Sequence, residues 1–430
     1  MKKIFLLSIL ISHYVSAQQT LHLQDAVNMA LKNNFDIQLA KNNADINTIY
    51  NNYGVAGGLP LVIATGNDAE QVTNLKQKLS NGTNTTKSGV TGNTLTAGIS
   101  AGILLYNGMR VIATKNRLEQ LELQGRELLN VQIENTIAAV TTQYYDVVRQ
   151  QQYLQTIEAS IDIARKRLEI LETRQQVGLA NNADIYQAQL DLNALLQSKL
   201  SQQLIIQQAK TDLLTLINAK EVSAVAINDT IIVDKNLHLD SVINNLDNNP
   251  LLIAAGQQIK INELVEKETA ALRYPSLRLN SAINYNRSQS TAGFTLLNQT
   301  YGPSLSLSLS VPIYNGSLYV RQQKAAAINT ENAVLQKQSI ARENTGGAVK
   351  TFEAYSNALK QLDTEIENYK LSQQLLVLVF QKFQLRESTI LDLKAAQQSF
   401  EESGYRLVNI SFAAKTAETE LKRLMYRLDF

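Results

Sequence analysis

The chain has 430 residues, no cysteine, and 40 basic side chains against 38 acidic ones. Without cysteine there is no disulfide, no thiolate metal site and no thiol-linked lipid. The near-balanced charge argues against a nucleic-acid partner, which leaves a basic footprint.

Lys2-Lys3, an apolar run from Ile4 to Ile11 and the small residues Val15-Ser16-Ala17 form the pattern of a secretory signal peptide, 1–17, cleaved after Ala17. The run is too short to span a bilayer. No later apolar run approaches a transmembrane helix, so a membrane crossing by this chain requires a closed β-barrel.

Residues 23–56 read as a helix, with Ala26, Val27, Ala30, Leu31, Ile37 and Ala40 at near-helical spacing and Gly54, Gly57-Gly58 and Pro60 as its stop. A β-hairpin is predicted over about 59–106. Its second strand is Thr94 to Leu105, and the Asn- and Thr-rich stretch 81–94 reads as the connecting loop. Tyr106-Asn107-Gly108 then turns the chain into a helix over 109–177, which has no proline and one glycine, Gly125. Leu154, Ile157, Ile161, Ala164, Leu168 and Leu171 step by three and four, a coiled-coil seam. At ~1.5 Å per residue such a helix is roughly 100 Å long. The chain turns at 177–183 and returns as a helix over 184–218. Residues 219–240 read as a linker, in which Ile231-Ile232-Val233 has the composition of a short strand.

The same order then recurs. Asn33-Asn34 returns as Asn248-Asn249 and Pro60 as Pro275, both 215 residues on; Tyr106-Asn107-Gly108 returns as Tyr314-Asn315-Gly316 and Asp184 as Asp392, both 208 residues on. Only the stretch between changes length, by 7 residues. The domains are therefore a first repeat, 18–218, the linker, and a second repeat, 241–430, with a helix over 241–273, a hairpin over about 275–314, a long helix over 317–385 and a return over 392–426. Two copies suggest pseudo-symmetry rather than a solenoid. In the second long helix the seam is Leu359, Leu362, Ile366, Tyr369, Leu376, Phe380 and Phe383.

Leu277, Leu279, Ser281, Ile283 and Tyr285 alternate with Arg278, Asn280, Ala282, Asn284 and Asn286, and Leu305, Leu307, Leu309 and Val311 with serines. This is the period of strands with two different environments. No charged residue occurs over 88–109 or 288–320. Transmembrane barrel strands need about ten residues and a charge-free lipid face. Four strands alone cannot enclose a lumen and would leave edges open in lipid, so several chains must contribute to one barrel.

Leu21 to Asn34, the prolines 60 and 275, the turns ending in Asn107-Gly108 and Asn315-Gly316, and the helical turns Gly178 to Gln189 and Arg386 to Gln397 together resemble the outer membrane efflux protein (TolC) family. No one motif is specific; their order and equal spacing in two copies carry the match along the mature chain. The resemblance implies a mainly α fold with a small β part. Long antiparallel coiled-coil helices would form a periplasmic α-barrel, and four transmembrane β-strands per chain would close a 12-stranded barrel as a homotrimer. It implies a passive exit duct of an efflux pump or type I secretion system, working with a periplasmic adaptor and an inner-membrane transporter, set in outer-membrane lipid.

The resemblance also places a gate at the periplasmic turns. It carries the constriction-forming aspartate to Asp392, with Asp184 as its first-repeat counterpart pairing between helices, and a closed-state aromatic to Phe383. Where such proteins carry a second aspartate, this chain has Ala395, which weakens any acidic ring. Gly178 marks one tip turn, while Arg386 stands where a glycine is expected and predicts a looser turn. Asp184 and Asp392 also have a plainer reading, as residues favoured at helix N-termini by the helix dipole. Tyr144, Tyr145, Tyr369 and Phe380 read as packing residues, and His22 and His238 as structural.

No nucleophile elbow, phosphate loop or zinc spacing is present, so neither an enzyme nor a cofactor is expected. The competing reading is an exported structural or adhesive coiled-coil protein without a pore.

Overall fold

A computed structural model describes residues 19–219 and 225–428. The predicted signal peptide, and Asp429 and Phe430, lie outside them. The first repeat comprises β1 (Gln19–Thr20), α1 (Leu23–Asn33), α2 (Phe35–Tyr50), β2 (Leu61–Lys78), β3 (Asn84–Tyr106), α3 (Arg110–Gln176) and α4 (Asn182–Leu216). The linker carries β4 (Val225–Ala226), and the second repeat comprises α5 (Leu239–Asn245), which begins at the end of the linker, a 3-10 turn (Leu246–Asn248), α6 (Pro250–Ala271), β5 (Ser276–Ser290), β6 (Leu297–Ser310), α7 (Leu318–Leu385) and α8 (Ile390–Leu424). β1 pairs in parallel with β4, so the start of the first repeat is stitched to the linker that leads into the second.

The structure corrects the sequence reading of the secondary structure and packing in four places. Each leading helix is broken rather than continuous, and the repeated asparagines break it. Asn34 Oδ1 accepts the N–H groups of Asp36 and Ile37 (2.9 and 3.2 Å), starting α2 afresh, and its Nδ2 donates to the Leu216 carbonyl at 2.9 Å. Asn249 Nδ2 donates to the Leu424 carbonyl at 3.1 Å. In both repeats one amide thus ties the leading helices to the end of the returning helix.

The stretch over 84–94 is strand, not loop. Only residues 79–83 turn, closed by Leu79 N–H to the Thr83 carbonyl at 2.9 Å. Threonine is a good strand former, and Thr85, Thr86, Thr91 and Thr94 all pair with β2. The seven additional residues of the first hairpin therefore lengthen strands: β2 and β3 have 18 and 23 residues, β5 and β6 have 15 and 14.

Ile231-Ile232-Val233 is not a strand. Beside it, the backbone polar groups of Asp234 are taken by side chains: Tyr355 donates its hydroxyl to the Asp234 carbonyl, and Glu418 Oε2 accepts the Asp234 N–H at 3.0 Å. The α7 seam also drifts, because 3.6 residues per turn does not hold a strict heptad in register. Ile366 is half-exposed, whereas Glu365 is buried and accepts from Arg406 Nε at 3.0 Å.

The chain divides into two compact units. The helical unit holds the described parts of Met1–Ala40, Leu129–Pro250 and Ala341–Phe430. One of its cores gathers Val27 and Ala30 of α1, Val140, Tyr144 and Val147 of α3, and Leu213 and Ile217 at the end of α4. The second repeat builds a matching core from Val242, Leu246, Ala348, Tyr355, Leu421 and Met425. The tyrosines bury their rings and spend their hydroxyls inside: Tyr144 donates to the Leu21 carbonyl (3.0 Å) and also bonds Asp229. This satisfies the rule that buried polar groups are paired.

The sheet unit holds Lys41–Leu128 and Leu251–Ile340. Its strands form one antiparallel sheet in the order β2-β3-β5-β6. Its helices are joined by polar contacts rather than a large apolar core. Arg117 of α3 meets Glu268 of α6 at 2.7 Å, Gln124 donates to Gln258 Oε1 at 2.9 Å, and Asn262 donates to the Asn329 carbonyl of α7 at 2.9 Å.

Candidate transmembrane sheet and helical tips

The register of the sheet sorts its side chains into two faces. Leu277, Leu279, Ile283 and Tyr285 of β5 share one face with Leu305, Leu307, Leu309 and Tyr301 of β6, and with Ile99, Ala101 and Ile103 of β3. Ile99, Ile283, Tyr301, Leu305, Leu307 and Leu309 are exposed, Leu305 by 74% and Tyr301 by 82%, while Leu277, Leu279, Tyr285 and Ile103 are half-buried. A soluble sheet would cover or break such a patch.

Ionisable residues on this face begin in one row. Asp68, Leu95, Arg287 and Gln299 are aligned across the four strands, and the row before it pairs Tyr285 directly with Tyr301. At the opposite end of the strands stand Tyr106, Tyr274 and Tyr314, all exposed. Leu277 to Tyr285 spans nine residues, the length of strand needed to cross a bilayer core. Apolar strands bounded by tyrosines at both ends match the lipid-facing band of a transmembrane barrel. The other face carries mainly serine, asparagine, threonine and glycine, with Arg278, Leu104, Leu61 and Ile63 toward the foot of the strands.

Each strand pair leads into a helix through the predicted turn. Asn107 accepts Arg110 N–H on its carbonyl at 3.3 Å and Val111 N–H on Oδ1 at 3.3 Å; Asn315 accepts Leu318 N–H at 3.3 Å. Gly108 and Gly316 have φ of 67° and 66°, and the following Met109 and Ser317 also sit at positive φ. Glycine removes the Cβ cost of that conformation. At Gly108 a Cβ would also lie 2.7 Å from Tyr274 Cβ.

The helical tips belong to the helical unit. Gly178 has φ 76° and Arg386 φ 68°. The turns use the same bonds: Gly178 N–H to Gln175 and Leu179 N–H to Arg174, then Arg386 N–H to Phe383 and Glu387 N–H to Lys382. Arg386 thus makes as tight a turn as Gly178, correcting the expectation of a looser one, because the bonds of the helix end hold it in a conformation that disfavours side chains.

Asp392 closes a capping box. Its carboxylate accepts the Thr389 N–H at 2.8 Å, and the Thr389 hydroxyl accepts the Asp392 N–H at 3.1 Å. The hydrogen bond from the Thr389 backbone holds its pKa below the ordinary carboxylate value. Asp184 occupies the matching position, where Asn181 Oδ1 accepts its N–H at 2.8 Å. Phe383 is 1% exposed, in a core with Leu171, Ile185, Leu376, Leu393 and Phe400. The Arg174 guanidinium lies 4.7 Å from its ring centroid and donates to the Phe383 carbonyl. Phe383 therefore joins the two tips within the chain.

The carboxylate that pairs between helices is Asp191 rather than Asp184. Among the described residues no salt bridge is made by Asp184. Asp191 Oδ2 receives Arg167 Nη2 of α3 at 2.9 Å; its Oδ1 receives Lys394 Nζ of α8 and Gln187 Nε2, each at 2.9 Å. Burial raises its pKa, but the Lys394 and Gln187 hydrogen bonds and the Arg167 charge outweigh this, leaving it below the ordinary value. Arg167 is 1% exposed. A signal was available: Arg167 and Asp191 lie 12 residues on either side of Leu179, so an antiparallel helical hairpin brings them level.

Known proteins share this fold. Residues 26–219 match the family model described as outer membrane efflux protein. Among curated proteins no match was found. The Campylobacter jejuni CmeC outer membrane channel has a similar structure (TM-score 0.76, 14% identity, covering 95% of this chain and 87% of that one). So does the outer membrane protein VceC from Vibrio cholerae (TM-score 0.72, 15% identity, covering 94% and 95%). The Neisseria gonorrhoeae MtrE outer membrane channel in its open state gives a TM-score of 0.67 at 18% identity, covering 94% and 88%. At these identities the likeness establishes the fold. Residues 26–219 thus carry the sequence pattern of the outer membrane efflux protein family, and the chain has the fold of these outer membrane channels along nearly its whole length.

Proposed function

We propose that three copies of this chain form a passive duct through the outer membrane, through which an efflux pump or type I secretion system delivers its cargo. The observation that carries the reading is the open-edged sheet. β2 and β6 are its edges and every neighbouring pair is antiparallel. In lipid each edge N–H and C=O needs a partner. Because β2 and β6 run in opposite directions, β6 of one copy pairs antiparallel with β2 of the next, and three copies close 12 strands without a break in pattern. The polar faces then line the lumen and the apolar faces meet lipid.

Residues 1–17 direct export and are removed. Each repeat, 18–218 and 241–430, supplies one hairpin to the barrel and one helical hairpin to a periplasmic tunnel. The tips around Gly178 and Arg386 form the gate, with Asp392 and Asp184 at its constriction and Phe383 holding the closed packing. A periplasmic adaptor and an inner-membrane transporter bias the tips toward opening and supply the energy.

Single-channel recording of detergent-purified trimer in a planar bilayer tests this. Small, stable steps are expected, growing in Asp392→Asn or in the double variant with Asp184→Asn. Wild-type steps in every variant would refute the gate assignment. A folded protein that stays monomeric, or leaves the outer membrane in a high-salt wash, would refute the duct and favour the exported coiled-coil protein without a pore.

A further inference from the structure

Below the bulge in β2, the polar face of the sheet carries one charge. From the foot of the strands to the bulge between Thr73 and Leu75, Arg278 is the only ionisable residue on that face; its aligned neighbours are Leu104 and Ser308. The guanidinium lies along the face, its Nη1 3.7 Å from where a Cβ on Gly102 would stand.

Arg278 shares a cavity of about 230 Å³ with Arg110, Asn107, Ser276, Ser310 and Tyr319. No carboxylate lines it. Neither arginine makes an ion pair among the described residues, and Asn107 Nδ2 is buried without an acceptor among them. Arg110 opens α3, whose first turn contains no acidic residue. A cation there is disfavoured by the positive end of the helix dipole. Two arginines, a free amide N–H and a helix start therefore converge with nothing among the described residues to neutralise them.

We propose that Arg278, with Arg110 beside it, forms an anion-attracting ring at the foot of the barrel lumen. Its ligands are permeating anions: chloride, and solutes bearing carboxylate or phosphate groups. The assignment rests on the duct reading above, which turns the polar face inward and repeats the pair three times. A ring of like charges sets ion selectivity in a pore, and the uncharged serine and asparagine around it leave the arginine field unopposed.

The test is the reversal potential of trimers in a planar bilayer under a tenfold KCl gradient. Arg278→Gln is expected to lower the chloride-to-potassium permeability ratio roughly threefold, and Arg110→Gln to lower it by less. Arg287→Gln, on the opposite face, is expected to leave it unchanged. Block by added inositol hexakisphosphate is expected in wild type and to weaken in Arg278→Gln. Conducting Arg278→Gln trimers with the wild-type ratio and wild-type block would overturn the ring while leaving the duct standing. Folded trimers that never conduct, in any variant, would overturn the duct and the ring together.

Discussion

Asp191→Asn isolates what holds the two helical tips together. The substitution keeps the size of the side chain and removes its charge. Arg167, 1% exposed, then remains buried without its carboxylate; its Nε and Nη1 already lack hydrogen-bond partners. Removing one partner of a buried pair costs about 3–5 kcal/mol. Asp191 retains 16% side-chain exposure, so water reaches part of the site and about 2–3 kcal/mol is the better figure. Hydrogen exchange read by mass spectrometry on purified trimer reports local opening. Peptides covering 160–196 and 385–400 are expected to exchange about 30- to 100-fold faster, with the sheet unchanged. Arg167→Met combined with Asp191→Asn removes the orphaned charge and is expected to come within about 1 kcal/mol of wild type. Exchange in Asp191→Asn accelerated less than about threefold, or a double variant worse than the single, would refute the account.

Other consequences are equally direct. Asp191 and Asp392 both have pKa values below the ordinary carboxylate value. Groups depressed on folding lend stability above the unfolded pKa, about 3.9, that disappears as pH falls through the folded value. Tip protection, corrected for intrinsic exchange rates, is therefore expected to be flat between about pH 7 and 5 and to fall below about pH 4. Lys394→Met, at a half-exposed partner of Asp191, should cost only about 0.5 kcal/mol in the same assay. Asn34→Ala removes a helix cap and the bond to Leu216, and should loosen the last turn of α4 by about 2 kcal/mol, seen as faster exchange over 208–217. Arg386→Gly relieves a left-handed side chain and should slow exchange at its turn by up to about fivefold, equivalent to roughly 1 kcal/mol; faster exchange would show that the Arg386 side chain holds the turn itself.

The sequence by itself determined the repeat, the long helices, the strands and the turns between them. These follow from local physics: the 3.6 and 2.0 periods, glycine at positive φ, proline as a stop, and the absence of charge where lipid is met. Where local composition was ambiguous, partners outside the segment decided. Threonine and asparagine over 84–94 serve strand or loop equally well until β2 offers a ladder, and Ile231-Ile232-Val233 stays unladdered beside a backbone pinned by Tyr355 and Glu418. The Asn34 and Asn249 repeat was visible, but its purpose needed the far ends of α4 and α8. The tips divide the same way. Asp184 and Asp392 could be aligned, while the Asp191 network joins residues 24 and 203 positions apart. A charge pair across helices depends on which faces meet, and only the tertiary packing of three helices, α3, α4 and α8, brings Arg167, Asp191 and Lys394 to one point.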